Sequence, residues 1–260
     1  MVAIALHSVV PVRVEPREGS EQNTQMLFGE LCRILEQQPR WLRIRLESDG
    51  QEGWVDAKMI CPMKPEEYAS HRASLQQSAI VAMPMAYAVS ENNGQTIPLT
   101  AGTRLTNYQD GRFEVLGVGF RIDPGMVWTE SPDLNEQNLL QSVRFFLNIP
   151  YLWGGKNAMG MDCSGFTQII MSLFGKKLPR NASEQATCGR KISRLSKAQA
   201  GDLVFFDHKD GKISHVGIVI DPERVIHCSG RVKVEKLDET GIFNAETGEY
   251  SHDLVAIKRI

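Results

Sequence analysis

The chain is 260 residues long, 42% hydrophobic and 23% charged, with a formal net charge of −2. That is enough apolar material for a real core divided over two or three domains. A near-neutral charge with no basic run or interleaved aromatic patch argues against nucleic acid as a partner, and no apolar run approaches the ~18 residues of a membrane span.

The opening MVAIALHSVVPVRVEP lacks a basic n-region, and His7 and Pro11 break its apolar run, so it makes a poor secretory signal. Cys32, Cys61, Cys163, Cys188 and Cys228 are odd in number and loosely spaced, which suits free thiols better than a disulfide framework. Cytoplasm is the expected location; an exported chain missing its leader would read the same way.

From Val2 to Met63 the pattern is short and β-like. Leu42, Ile44 and Leu46 alternate with Arg43 and Arg45 as a half-buried strand, and Asp49-Gly50 signals a hairpin turn. Residues 1–63 are expected to form a small β-barrel. The run PMKPEEYASHRASLQQ is polar, helix-compatible after Pro65, and reads as a linker. From Ser78 to Trp128 a weaker β pattern returns. LTAGTRLTNYQDGRFEVLGVG lays over LFGELCRILEQQPRWLRIRL with Phe113 where Trp41 stands. Residues 64–129 are therefore a linker followed by a degenerate second copy of the barrel, or by an unrelated β insert.

Residues 130–260 change character. Asp133 or Ser131 caps a helix whose stripe is Leu139, Leu140, Val143, Phe146 and Leu147, ended by Pro150. A glycine-broken loop then leads into DCSGFTQIIMSLFG, where Phe166, Ile169, Ile170 and Leu173 fall on one helical face. Asp162 or Ser164 caps this helix, and Gly175 stops it. Ser183 before Glu184 and Gln185 is a further capping signal. The strands GDLVFFD, HVGIVID, RVIHCSG, RVKVEKL and LVAIKRI follow, an α+β layout.

Cys163 sits at a helix start, where unpaired N–H groups and the helix dipole favour an anion; that placement is expected to lower its thiol pKa. A single cysteine is ordinarily a small buried residue, but the downstream strands supply partners. HVGIVI and RVIHCSG meet at Asp221-Pro222-Glu223. A three-residue loop would pair Ile220 with Arg224, Val219 with Val225 and Gly217 with His227. His215 and His227 then share a face, one diagonal step apart. The trio supplies a nucleophile, a base in His215 and an orienting group in His227. A zinc site built from the same three, helped by Cys188 or Cys228, is the rival use, but C-x-x-C and H-x-x-x-H spacings are missing. No cofactor is expected.

PYLWGG, DCSGF, HVGI and the second histidine closely resemble the NlpC-type family of papain-like cell-wall peptidases, a likeness that runs from Pro132 to Ile260 and includes GDLVFF. Leu27–Glu30, Trp41–Ile44 and Asp49–Val55 resemble a bacterial SH3-like domain. The resemblance implies a multidomain chain: N-terminal SH3-like β-barrels and a C-terminal α+β papain-like domain. It implies Cys163, His215 and His227 as the catalytic set, and murein stem peptides as substrate. The implied cut lies between D-glutamate and the following diamino acid, with release of L-Ala-D-Glu from peptides bearing a free L-Ala amine. Tyr151, Asp162 and Ser164 are implied substrate contacts, and Glu52 and Tyr87 are candidates to meet the amine. One departure is Asn181, in Leu178-Pro179-Arg180-Asn181, where the family often has an aspartate. A neutral amide binds an ammonium about half as strongly as a carboxylate does. A monomer is expected.

Overall fold

The structure, a computed structural model, describes residues 1–207, 212–245 and 247–260. It divides into two compact units, Met1–Ser131 and Pro132–Ile260.

In the first unit the initial seven strands form one sheet. Their order is Gln22–Leu27, Val9–Arg13, Glu52–Asp56, Trp41–Leu46, Leu31–Gln37, Val2–Ala5, Ile60–Pro62. Alternation drives the pairing: Leu42, Ile44 and Leu46 are buried while Arg43 and Arg45 face water. The polar run read as a linker is the helix Pro65–Ser74, and His71 on it donates from Nε2 to the Gly29 carbonyl, 3.0 Å away.

After this helix, seven strands are laid down again in the same order, split into two sheets. The first sheet runs Thr96–Thr100, Met85–Ser90, Val118–Ile122, Arg112–Val115, and the second runs Arg104–Leu105, Ala79–Val81, Val127–Trp128. In the first region the fourth and fifth strands in this order are hydrogen-bonded; in the second, their counterparts are not. Each region also turns into its final strand through one 3-10 turn capped by an aspartate, Asp56 and Asp123. A shared core ties the regions together: Ile4, Phe28 and Leu31 pack with Val81, Leu99, Leu105 and Phe113.

In the second unit the helix Glu136–Val143 is capped by Asn135, whose side chain accepts the Asn138 N–H, and not by Asp133 or Ser131. It ends short of Phe146, which is still fully buried, while Leu147 is left exposed. The helix Cys163–Leu173 buries Phe166, Ile169, Ile170 and Leu173; full burial of each such side chain contributes roughly 1.5–3 kcal/mol. Gly175, at φ 71°, stops it in a left-handed turn. The short helix Ala182–Gln185 starts two residues earlier than Ser183 suggests, because Asn181 and Glu184 form its capping box.

The strands form an antiparallel sheet in the order Arg190–Lys191, Glu249–Arg259, Leu203–Asp207, His215–Asp221, Arg224–Ser229, Arg231–Leu237, Gly241–Asn244. The strand Glu249–Arg259 also pairs with Gly241–Asn244, so the sheet closes on itself. The expected hairpin register holds at Gly217–His227 and Val219–Val225, but the closing pair is Asp221–Arg224, with a bulge after Val219. Asp221 causes the difference. Its carboxylate accepts from the Glu223 N–H at 2.9 Å and from Arg224 Nε at 2.6 Å, which draws it into the turn and leaves Ile220 as the extra residue.

Candidate active site

Everything at the centre of the second unit is arranged around the first turn of the Cys163 helix. Asp162 is the cap, and its Oδ1 accepts the Gly165 N–H at 2.6 Å. Its Oδ2 accepts the Gly154 N–H at 2.9 Å, which fastens the glycine loop to the helix start. Arg180, 1% exposed, grips the same carboxylate with both arms, at 2.9 and 2.6 Å, and donates to Ser164 Oγ at 2.8 Å. Gln185 bonds Thr167 Oγ1, the Ser164 carbonyl and the Pro179 carbonyl. An added Cβ at Gly165 would run into the Gly155 carbonyl oxygen, so only glycine lets loop and helix pack this closely.

Cys163 itself is 7% exposed. Burial pushes its thiol up to about 11, and the Asp162 carboxylate adds to the rise. The Val216 and Ser164 backbone N–H groups and the Arg180 guanidinium pull the other way without prevailing. The expectation that the helix start lowers the thiol pKa is therefore corrected: desolvation outweighs the helix terminus. The thiol needs a base, and the Val216 N–H brings its sulfur against the strand that begins at His215.

His215 and His227 are buried, and His215 Nε2 lies 2.8 Å from His227 Nδ1. His227 Nε2 in turn lies 2.8 Å from Glu235 Oε2, and Lys233 Nζ is 3.0 Å from that same oxygen. Burial lowers the pKa of His227 despite the neighbouring carboxylate. Glu235 is held down at about 2: its own burial opposes ionisation, and the bonds from His227 and Lys233 outweigh it. His252, on the strand Glu249–Arg259, stacks on His215 with ring centroids 4.2 Å apart. The sequence reading missed Glu235 and His252. Alternation in RVKVEKL puts Lys233 and Glu235 on the His227 face once the neighbouring strand is paired, a signal that was available.

The implied substrate contacts are placed as follows. Tyr151 is half-buried, and its hydroxyl pKa is raised by burial and then by the charge of Cys163, so the phenol stays protonated beside the nucleophile. The side chains of Asp162 and Ser164 are engaged within the protein, in the Arg180 network. Asn181 is exposed and bonds Glu184 Oε2 at 3.1 Å through its amide, as a helix cap. Glu52 and Tyr87 belong to the first unit. The Glu52 carboxylate is bridged by Arg43 and Arg45, and Tyr87 is 60% exposed on the strand Met85–Ser90. Among the described residues no group of three or more His, Cys, Asp or Glu side chains is placed to hold a metal ion.

Residues 148–249 match the NlpC/P60 family, and residues 12–60 match the bacterial dipeptidyl-peptidase SH3 domain. The gamma-D-glutamyl-L-lysine dipeptidyl-peptidase of Bacillus subtilis (strain 168) is 29% identical over 253 residues, spanning 91% of this chain and 80% of its own length. Its namesake from Bacillus cereus (strain ATCC 10987 / NRS 248) is 25% identical, over 80% of this chain and 68% of its own. Among solved structures, an NlpC/P60 family protein from Bacillus cereus ATCC 10987 superposes with a TM-score of 0.85 at 18% identity, covering 100% of this chain and 99% of that one. An NlpC/P60 endopeptidase from Photobacterium damselae subsp. piscicida gives 0.74 at 15% identity, covering 98% and 70%. At those identities the structural likeness is one of fold.

Proposed function

The chain carries an NlpC/P60 family domain behind a bacterial dipeptidyl-peptidase SH3 domain, and on that premise we propose that it is a cysteine peptidase that hydrolyses the bond between the D-glutamate γ-carboxyl and a diamino acid in murein peptides. The observation that carries the reading is the buried His215–His227 pair at 2.8 Å, on the strand whose Val216 N–H meets the Cys163 sulfur. His215 takes the thiol proton as the sulfur attacks the γ-carbonyl. The oxyanion forms at the helix start, where the Cys163 N–H lies in the first turn and needs no helical partner. His215 then returns the proton to the leaving amine, and water opens the thioester.

Lysine as the diamino acid follows the name of the two Bacillus relatives. A preference for a free L-Ala amine, and with it a place in cytoplasmic recycling of murein peptides, is part of the same proposal. The five unpaired cysteines favour a reducing compartment.

The test is mass spectrometry of L-Ala-γ-D-Glu-L-Lys and its N-acetyl form, incubated with wild type and Cys163→Ala. Release of L-Ala-D-Glu from the free-amine peptide alone, by wild type alone, supports the full reading. Equal cleavage of both peptides removes the amine preference and the recycling role. Cleavage by Cys163→Ala overturns the mechanism.

A further inference from the structure

A histidine base must present a bare ring nitrogen to its thiol, and a buried histidine pair has two ways of sharing its protons. We propose that Glu235, resting on the peptidase reading above, is a positioning residue that selects which nitrogen of His215 acts as the base.

Glu235 is ionised at neutral pH, since its carboxyl is held at about 2. An ionised carboxylate only accepts hydrogen bonds. The 2.8 Å contact to His227 therefore puts the proton on Nε2 of that ring. Burial keeps His227 neutral, so its Nδ1 is a bare acceptor. His215 Nε2, 2.8 Å from that Nδ1, must then be the donor. In the neutral His215 ring the other nitrogen, Nδ1, then carries no proton and can accept one. When the Cys163 S–H bond breaks and a His215 Nδ1–H bond forms, the new imidazolium already donates from Nε2 into a neutral ring that donates to a carboxylate. The charge is stabilised without any rotation.

Among the described residues, charged and titratable groups near the pair come from neighbouring strands and from the helix start. Lys233 and Glu235 stand on Arg231–Leu237, His252 on Glu249–Arg259, and Cys163 and Asp162 at the helix start. Lys233 shares the carboxylate oxygen with His227, and Glu235 is the carboxylate hydrogen-bonded to that ring. Without Glu235 nothing on the facing strand forces the His227 proton onto Nε2. The opposite tautomer would turn Nδ1–H toward His215 and leave that ring donating from the wrong nitrogen.

The experiment compares wild type, Glu235→Gln and Glu235→Ala. One readout is iodoacetamide alkylation of Cys163 against pH, resolved by peptide mapping; the other is kcat and KM on L-Ala-γ-D-Glu-L-Lys. Thermal melting reports folding separately. Gln keeps an acceptor and loses the charge, so roughly tenfold slower alkylation at pH 7 is expected; Ala loses both, and roughly a hundredfold is expected. The kcat values should fall in parallel with KM within about twofold. The half-maximal alkylation pH should move up in both variants. If both variants alkylate with the wild-type pH dependence, or lose only melting temperature, the proposal is overturned. If wild type leaves the peptide uncut while the alkylation curve still moves with Glu235, the positioning role stands and the substrate assignment falls.

Discussion

Replacing Arg180 by methionine removes the cation that grips the Asp162 carboxylate with both arms, and its cost can be worked from the contacts. The pair is almost dry: the side chains are 1% and 9% exposed, joined at 2.6 Å in the closer arm. Removing one partner of a buried pair costs about 3–5 kcal/mol, because the other charge stays buried without its partner. Asp162 would keep the Gly154 and Gly165 N–H groups and the Ser164 hydroxyl, so the lower end applies, about 3 kcal/mol. With a urea slope of about 2 kcal/mol/M, the midpoint of the Pro132–Ile260 unit should drop by about 1.5 M. Cys228 is 0% exposed and lies in that unit, so its labelling by a thiol reagent across a urea series reads the transition without interference from the first unit. The double variant Arg180→Met/Asp162→Asn removes both charges and should regain part of the loss. An Arg180→Met midpoint within 0.2 M of wild type, or a double variant less stable than the single one, would refute the reasoning.

Gly165→Ala should destabilise the same unit by about 1–3 kcal/mol through its clash with the Gly155 carbonyl, read as a lower urea midpoint, whereas an unchanged midpoint would show that the loop gives way freely. Alkaline stability should fail early, because burial holds Cys228 and Cys32 at about 12 and Cys163 at about 11. Their folded pKa values lie above the unfolded ~8.5, so stability is full below that pH and lost as pH rises toward 11–12. Cys228→Ala should flatten the decline in the second unit, and an unchanged decline would clear that thiol. On the acid side both signs are reversed. His227 has a lowered pKa, so stability falls once the unfolded histidine protonates below ~6.5. Glu235, at about 2 when folded, adds stability that is present above ~4.3 and lost as pH falls through 2. Glu235→Gln should abolish this lower step in a plot of urea midpoint against pH and, by removing the carboxylate that opposes the lowering of His227, deepen the upper one.

Much of the site was legible because it depends on short-range pattern. The apolar stripe of the Cys163 helix, its aspartate cap and its glycine stop all lie within a few turns, and two-residue alternation put His227 opposite Gly217. The bulge at Ile220 was not legible, because a side-chain bond from Asp221 moved the turn without disturbing the strands. Glu235 and His252 depend on which strand pairs beyond the hairpin and on closure of the sheet, and both are long-range choices. The thiol of Cys163 was misjudged for a related reason. A helix terminus can be read from a few residues, whereas the burial that outweighs it is set by the whole unit. Asp162 and Ser164 look like free polar flanks in the sequence; Arg180, far along the chain, is what engages them.

The strand Glu249–Arg259 has a consequence for how the protein comes into being. It pairs with Arg190–Lys191, Leu203–Asp207 and Gly241–Asn244, and it carries the ring that lies flat on His215. On a ribosome the nucleophile and both histidines emerge well before this segment does. Until it is translated, Leu203–Asp207 and Gly241–Asn244 lack the strand that pairs with both. Such late pairing across a long stretch of chain is slow to form. The partner strand of Leu203–Asp207 and the ring stacked on His215 thus arrive together, after the nucleophile and both strands of the histidine hairpin.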